Sequence, residues 1–330
     1  MTTIKDLSKY TGLSVGTISN YLNKRKIKEE NLRIIEEAIA ELDYQPNSVG
    51  KYLREGKTKT IGVVTNTIST NFISKTYSIL EDELLSNGYD VIFCNSHGDI
   101  NLEANKLSFL SGRAVDFIIL FPVSCTRTDI SKVKTPIITV DNFLENQNCP
   151  AIIFDDFDIS YEATRKLINA GHKKIACITG YEDHHTTKMR KRGFIEALND
   201  YSISVDPDLI CDASFNNEKS ENIVYRLLKY KNPPTAFLVT SNEMLIGLLL
   251  AVKKAGLKIP EDISYITFDD ADYYSLLDKK PSYVMQPKEE LGKELFSTIY
   301  DILSGNDIDS INFVKYIKTK LVQGETVKHI

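Results

Sequence analysis

Thr3-Ile-Lys-Asp-Leu-Ser-Lys-Tyr-Thr-Gly-Leu-Ser-Val-Gly-Thr-Ile-Ser-Asn-Tyr-Leu-Asn23 reads as two short helices around a tight turn. Ile4, Leu7 and Tyr10 recur on one stripe of the first helix, and Val15, Ile18 and Leu22 on one stripe of the second. Gly12 sits where the turn needs a permissive backbone, and Ser14 can accept from the freed amides that open the second helix. A third stripe, Leu32, Ile35, Ile39 and Leu42, has Glu36, Glu37 and Glu41 outside it. Tyr44-Gln-Pro46 ends that helix, because proline drives the preceding residue out of the helical region. A pair of helices around such a turn is the architecture whose second helix enters the major groove of DNA. Residues 1–46 are therefore expected to form a small all-α DNA-binding head.

Charge supports this locally and opposes it globally. The chain of 330 residues carries a net charge of −5. Residues 1–60 hold 11 Lys and Arg against 8 Asp and Glu, a balance of +3, so the remainder carries −8. Lys5, Lys9, Lys24, Arg25, Lys26 and Lys28 face a single early acid, Asp6, and Lys51, Arg54, Lys57 and Lys59 form a second basic group. A basic head on an acidic body suits one part that touches phosphate and another that does not.

From residue 61 strand-like runs alternate with amphipathic helices: 61–65, 90–95, 116–121, 136–141, 151–155, 174–180, 236–241 and 263–269. Near-continuous apolar strands separated by helices predict parallel sheets covered on both faces. About 270 residues exceed one core, so two α/β lobes are expected. Ligands collect beyond the C-terminal ends of such strands. Those ends carry Asn66, Asn71 and Phe72; Asp141 and Asn142; Phe154, Asp155 and Asp156; residues 184–190; Ser241 and Asn242; Asp269 and Asp270. Carboxylates and amides interleaved with aromatic faces suit the hydroxyls and apolar ring face of a sugar.

Several blocks together carry a specific resemblance. Thr3-Ile-Lys-Asp-Leu7, Gly12-Leu-Ser with Thr17-Ile-Ser and Leu22-Asn23, Leu42-Asp-Tyr-Gln-Pro-Asn47 and Thr60-Ile-Gly-Val-Val64 resemble the lactose/galactose repressor (LacI/GalR-type) family of bacterial transcription regulators. Gly171-His-Lys-Lys-Ile-Ala-Cys-Ile-Thr-Gly180, Arg190-Lys-Arg-Gly-Phe194, Pro260-Glu-Asp-Ile-Ser264 and Phe268-Asp-Asp270 extend the likeness almost end to end. The resemblance implies a head at 1–46, a hinge at 47–60 and a two-lobed periplasmic-binding-protein-like core at 61–330. Lobe 1 would span about 61–155 and 287–314, and lobe 2 about 156–286 and 315–330. DNA contacts would come from Thr3, Ser14, Val15, Gly16, Thr17, Ser19, Asn20, Asn23, Lys24, Asn47, Lys51 and Leu53, with Leu53 wedged into the minor groove at the operator centre. Effector contacts would come from Phe72, Asp141, Phe154, Arg190, Phe215, Ser241, Asn242 and Asp269. A two-fold homodimer would use Ile73, Tyr77, Leu80 and Ile246; Met244–Val252 is apolar all round and asks for cover on every side.

The chain departs from the family at places that matter. Gly50 and Lys51 stand where Ala and Arg are commoner, and glycine costs about 1 kcal/mol of helix stability relative to alanine. Asn20 replaces a common arginine. Ser241-Asn242, Asp155-Asp156 with Ile159, and Thr267 before Phe268 alter the polar inventory of the cleft.

Other classes find little support. There is no G-x-G-x-x-G after the first strand and no G-x-S-x-G, which leaves a sugar- or nucleotide-processing enzyme as an outlying alternative. Gly56-Lys57-Thr58 follows a helix and lacks the spacing of a phosphate loop. Phe-Asp-Asp-x-Asp occurs at 154–158 and 268–272 without the glycine and terminal glutamate of a calcium loop, so neither metal nor cofactor is expected. The first 30 residues lack an apolar export core, no stretch approaches a membrane span, and Cys94, Cys125, Cys149, Cys177 and Cys211 show no C-x-x-C. No leucine heptad near the C-terminus predicts a coiled-coil tetramer. The expected molecule is a cytoplasmic homodimeric repressor whose partners are operator DNA and a sugar or sugar derivative. A regulator without a small-molecule effector, answering to a partner protein, is the alternative.

Overall fold

Capping chemistry sets the head's local structure. The Thr3 hydroxyl accepts the Asp6 amide at 3.3 Å, and the Asp6 carboxylate accepts the Thr3 amide at 2.8 Å. This reciprocal box satisfies donors that a helix start leaves orphaned, and α1 (Ile4–Thr11) begins there. Gly12 ends it at φ 71°, with its N–H donated to the Ser8 carbonyl at 3.0 Å. The Ser14 hydroxyl accepts the Thr17 amide at 3.1 Å and opens α2 (Val15–Leu22). With α3 (Glu29–Glu41) these helices enclose Leu7, Ile18, Ile35, Ala38 and Tyr44. Tyr10 and Val15, expected in the core, are 53% and 42% exposed, and Leu32 also faces outward. Three helices this short close around about one side chain per helix turn, so residues at the edge of each stripe stay on the rim.

The computed structural model describes residues 2–22, 25–44, 57–305 and 314–330. It divides into two units, Met1–Thr58 and Lys59–Ile330. The second unit starts with β1 (Thr60–Thr65), α4 (Asn71–Ser86), β2 (Asp90–Asn95), α5 (Ile100–Gly112), β3 (Phe117–Leu120), β4 (Ile137–Val140) and β5 (Ala151–Phe154). After one crossing come α6 (Asp156–Asn169), β6 (Ile175–Thr179), α7 (His185–Asp200), β7 (Ile210–Asp212), α8 (Asn217–Leu228), β8 (Ala236–Val239), α9 (Asn242–Lys254), β9 (Ser264–Phe268) and β10 (Ser282–Met285). The chain then returns through α10 (Lys288–Leu303) and β11 (Val314–Ile317), and crosses again to β12 (Lys320–Val322). One sheet runs β11-β5-β4-β3-β1-β2 and the other β12-β10-β9-β8-β6-β7. Among the described pairings only β10 with β12 is antiparallel.

The parallel sheets explain the unbroken apolar runs. Val63, Phe117 and Ile119 enter the core on one face of the first sheet, while Val64, Ile118 and Leu120 enter the core on the other. Both faces are dry, so alternation disappears from the sequence. All eight expected strands are present. Four further strands were not legible: β7 and β12 have three residues each, β10 alternates in burial, and β11 carries exposed Lys315 and Tyr316. β11 pairs with β5, from Val314 opposite Ala151 to Ile317 opposite Phe154. It thus belongs to the first lobe, and the third crossing falls at 318–319 instead of the expected 315.

Helix packing also revises two expectations. Gly193 lets α7 lie against α6, since a Cβ there would meet the Phe157 carbonyl at 2.3 Å. Gly247 does the same for α9 against α8, so most of the apolar α9 is covered inside its own lobe. Ile246 is half-buried and Leu250 remains exposed. Ile73, Tyr77 and Leu80, the expected dimer contacts, are buried in their own lobe's core, where α4 packs on α10. No helix among the described residues is long and apolar enough to cross a membrane.

Candidate nucleic-acid interface and ligand cleft

Most of the candidate recognition residues lie outside the head's core. Thr3, Ser14, Val15, Gly16 and Asn20 are exposed, and Thr17 and Ser19 are partly buried. Thr3 and Ser14 serve as caps, so their hydroxyls already have local partners. A Cβ on Gly16 would meet nothing nearer than the Ser14 hydroxyl at 3.6 Å, so packing does not demand glycine there. Its effect is to leave the outer surface of α2 bare beside Val15. Asn23, Lys24, Asn47, Lys51 and Leu53 lie outside the described residues, as does the boundary between head and hinge.

The core gathers its candidate residues around one guanidinium. Arg190, on α7, is 5% exposed and donates from Nε to Asp156 Oδ1 at 2.6 Å and from Nη1 to the Thr240 carbonyl at 2.7 Å. Its plane lies 4.2 Å over the Phe268 ring. With its amide turned to satisfy both neighbours, Gln286 accepts from Arg190 Nη2 at 2.5 Å and donates to Asp269 Oδ1 at 3.1 Å. Asp141 arrives from the end of β4, Asp269 from the end of β9, and Asp156 opens α6. Both lobes therefore contribute.

Electrostatics of this cluster are dominated by burial. Burial, repulsion from Asp156 and proximity to Asp269 lift the Asp141 carboxyl to about 7 against the attraction of Arg190. Asp269 is lifted to about 7, again chiefly by burial. Asp156 is raised by burial although Arg190 opposes the rise. Burial works against the Arg190 charge, but Asp156, Asp141 and Asp269 outweigh it and hold the guanidinium protonated. Asp141 and Asp269 both adopt left-handed backbone, at φ 62° and 67°. Strain of this kind persists where the surroundings over-determine it.

Other expected residues take different places. Phe72 and Phe154 meet edge to face at 5.8 Å and sit in the first lobe's core, more filler than wall. Phe215 presses on Gly180, where a Cβ would lie 2.0 Å from its ring, and stacks near Tyr181 and His184 at 5.8 and 5.6 Å. It lines a separate recess of about 560 Å³ with Tyr181, Asn216, Lys219 and Asn222. Ser241 caps α9, accepting the Met244 amide at 3.4 Å, and Asn242 accepts the Tyr273 hydroxyl. Asp156 was visible at a strand end, but its pairing with Arg190 was not. Gln286 was missed altogether; its polarity after the β10 run, just before Pro287, was the available signal.

The doubled Phe-Asp-Asp-x-Asp motif proves to be a device for joining lobes. Asp155 accepts the Thr319 amide and hydroxyl at 2.8 and 2.7 Å and faces Lys318 at 3.3 Å, which ties the first crossing to the third. Asp270 pairs with Lys288, and Asp272 pairs with Lys75 at 2.9 Å. The Asn71 amide donates to the Asp270 carbonyl at 2.8 Å. On the opposite flank Asn142 accepts the His185 amide at 2.6 Å and donates to the Pro122 carbonyl at 3.1 Å. Asp183 resists burial because Ser124, Thr126 and Arg127 donate to it, and its carboxyl falls to about 2. The Cys125 thiol contacts Glu145 at 3.2 Å within its own lobe and Lys188 Nζ of the other lobe at 3.1 Å.

Comparison with known proteins agrees with both halves of this description. Residues 3–47 match the family described as bacterial regulatory proteins, lacI family, and residues 58–321 match periplasmic binding proteins and sugar binding domain of LacI family. An HTH-type transcriptional repressor PurR of Pectobacterium atrosepticum is 30% identical over 316 residues, covering 94% of this chain and 93% of the relative. A Lac repressor bound to ONPG in the repressed state has TM-score 0.87 at 21% identity, covering 99% of each chain. A LacI family transcriptional regulator from Enterococcus faecium with bound ribose has TM-score 0.73 at 25% identity, over 82% of this chain and 99% of that one. A helix-turn-helix head with a bare recognition face, joined in one chain to a two-lobed core, is thus a member of the LacI family of bacterial regulatory proteins.

Proposed function

We propose that this chain is a sequence-specific transcriptional repressor, acting in the cytoplasm as a homodimer and not as an enzyme, whose operator affinity is set by a small sugar-like molecule bound between its lobes. The Arg190 cluster carries this reading, because Asp141 reaches it from one lobe while Asp156, Arg190 and Asp269 belong to the other. A ligand that touches both lobes favours one lobe arrangement over another, and only such differential contact can shift an equilibrium. Asp156 adjoins Asp155, which grips the crossing at Thr319, so the ligand-facing cluster and the hinge are chemically continuous. The repressor named PurR and the regulator carrying ribose, as relatives, support a repressor with a small effector.

A two-fold dimer presents two heads to two half-sites, and its affinity should fall steeply with salt. With Ile73, Tyr77 and Leu80 committed to their own core, exposed Leu85, Phe93, Leu250 and Leu276, together with half-buried Ile246, are the better candidates for the subunit contact. Sedimentation of the full chain, with promoter-fragment binding by fluorescence anisotropy, tests the proposal. A monomer at micromolar concentration that retards no DNA removes it, and catalytic turnover would promote the enzyme alternative. For the cleft, Asp269→Asn and Arg190→Lys should blunt the response of DNA binding to a ligand found by thermal shift. Unchanged ligand affinity in both means the cleft is misassigned. A ligand screen without any response would pass control to a partner protein.

A further inference from the structure

The carboxylates of the cluster are less well satisfied than its guanidinium. Arg190 already donates once from each guanidinium nitrogen, to Asp156, the Thr240 carbonyl and Gln286, so three of its five N–H groups are engaged within the protein. By contrast Asp141 Oδ1 and Asp156 Oδ2 are buried and have no hydrogen-bond partner among the described residues. Asp156 is 2% exposed, so that oxygen lies away from bulk solvent. Three carboxylates share a single guanidinium. The neighbouring cations Lys75, Lys288 and Lys318 are already paired with Asp272, Asp270 and Asp155. Buried acceptors without donors are expensive, and buried carboxylates more so.

Building on the cleft reading above, we propose that the effector is a small polyol bearing a primary ammonium group, of the amino-sugar kind, whose nitrogen is held by Asp141 from one lobe and Asp156 from the other. An ammonium supplies three donors and one positive charge, which are what the two orphaned oxygens and the unbalanced cluster lack. A neutral hydroxyl supplies a single donor and no charge. A sugar phosphate or carboxylate would add an anion beside Asp141 and Asp156, where the one guanidinium charge is already paired with Asp156. The ammonium also bridges the lobes, so the group that sets specificity would also draw them together.

Calorimetry on the full chain at neutral pH, with glucosamine and galactosamine against glucose and galactose and against the corresponding 6-phosphates, tests this. The amino sugars should bind about tenfold or more tighter than their hydroxyl counterparts, the size of one charge-assisted hydrogen bond. The 6-phosphates should bind more weakly than the parent sugars. Asp141→Asn should erase the preference for the amine and raise the melting temperature of the free protein, since it removes a buried ionisable carboxyl whose Oδ1 has no hydrogen-bond partner among the described residues. A hydroxyl sugar or a phosphate binding more tightly, with sensitivity to Arg190→Lys, overturns the ammonium proposal and leaves the cleft reading standing. Amine binding indifferent to both Asp141→Asn and Arg190→Lys overturns the two together. Absence of binding by either amino sugar, or a lower melting temperature for Asp141→Asn, also overturns the proposal.

Discussion

The exposed face of α2 and the Arg190 cluster are built in opposite ways. On α2 the residues that would read bases are those the fold leaves alone: Gly16 has open space around its missing side chain, and Val15 and Asn20 face outward. Around Arg190 most polar atoms are committed to other residues, with Asp141 Oδ1 and Asp156 Oδ2 left over, and the site is drawn from the ends of β4 and β9, from α6 and α7, and from the segment after β10. A surface of the first kind can be rewritten one residue at a time. In a cluster of the second kind, removing a paired member strands its neighbours.

Arg190→Ala is the strongest way to break this contrast. It leaves Asp156 and its companions buried without a counter-ion, and removing one partner of such a pair costs about 3–5 kcal/mol. Urea denaturation should show that loss, and Asn20→Ala should stay within about 0.5 kcal/mol of wild type. Equal effects would dissolve the distinction. The same logic shows why alanine is a poor probe of ligand binding at Arg190, and why lysine serves better.

A pH series sharpens the comparison next. Asp141 and Asp269 hold their protons up to about 7, whereas an unfolded aspartate releases its proton near 4. Within that window the folded core binds more protons than the unfolded chain, so core stability falls as pH rises towards 7 and levels off above it. Thermal melts of Asp141→Asn should show a flatter slope than wild type between about pH 5 and 7. An identical slope would mean that Asp141 titrates normally.

At the other region, Asn20→Arg should move one half-site position from A·T towards G·C in selection from random DNA. Asparagine pairs with adenine N6 and N7 and arginine with guanine O6 and N7, each worth about 1–3 kcal/mol of discrimination. An unchanged motif assigns Asn20 to phosphate. Smallest of all, Gly12→Ala forces a side chain into left-handed backbone at φ 71° and should cost about 1–2 kcal/mol, felt by the head alone. Hydrogen exchange would report it as faster opening of 4–22 with the core unchanged.

The sequence by itself determined the head and the order of the core. Leu7, Gly12, Ser14 and Ile18 lie within twelve residues, and their partners are local, so spacing and capping chemistry specify α1, the turn and α2. The eight long apolar strands were equally legible, because sheets buried on both faces need uninterrupted hydrophobic runs. Tertiary structure decided the rest. It sent Tyr10 and Val15 to the rim, since a core of this size fills before the stripe ends. It also took Ile73, Tyr77 and Leu80 inward, since an apolar stripe does not say whether its cover is the same chain or another. The site lay furthest from view. Asp156 and Arg190 are 34 residues apart, and Gln286 lies beyond another crossing. No local periodicity encodes which buried carboxylate oxygen finds a cation and which is left without a partner among the described residues; that follows only when two sheets bring their strand ends together.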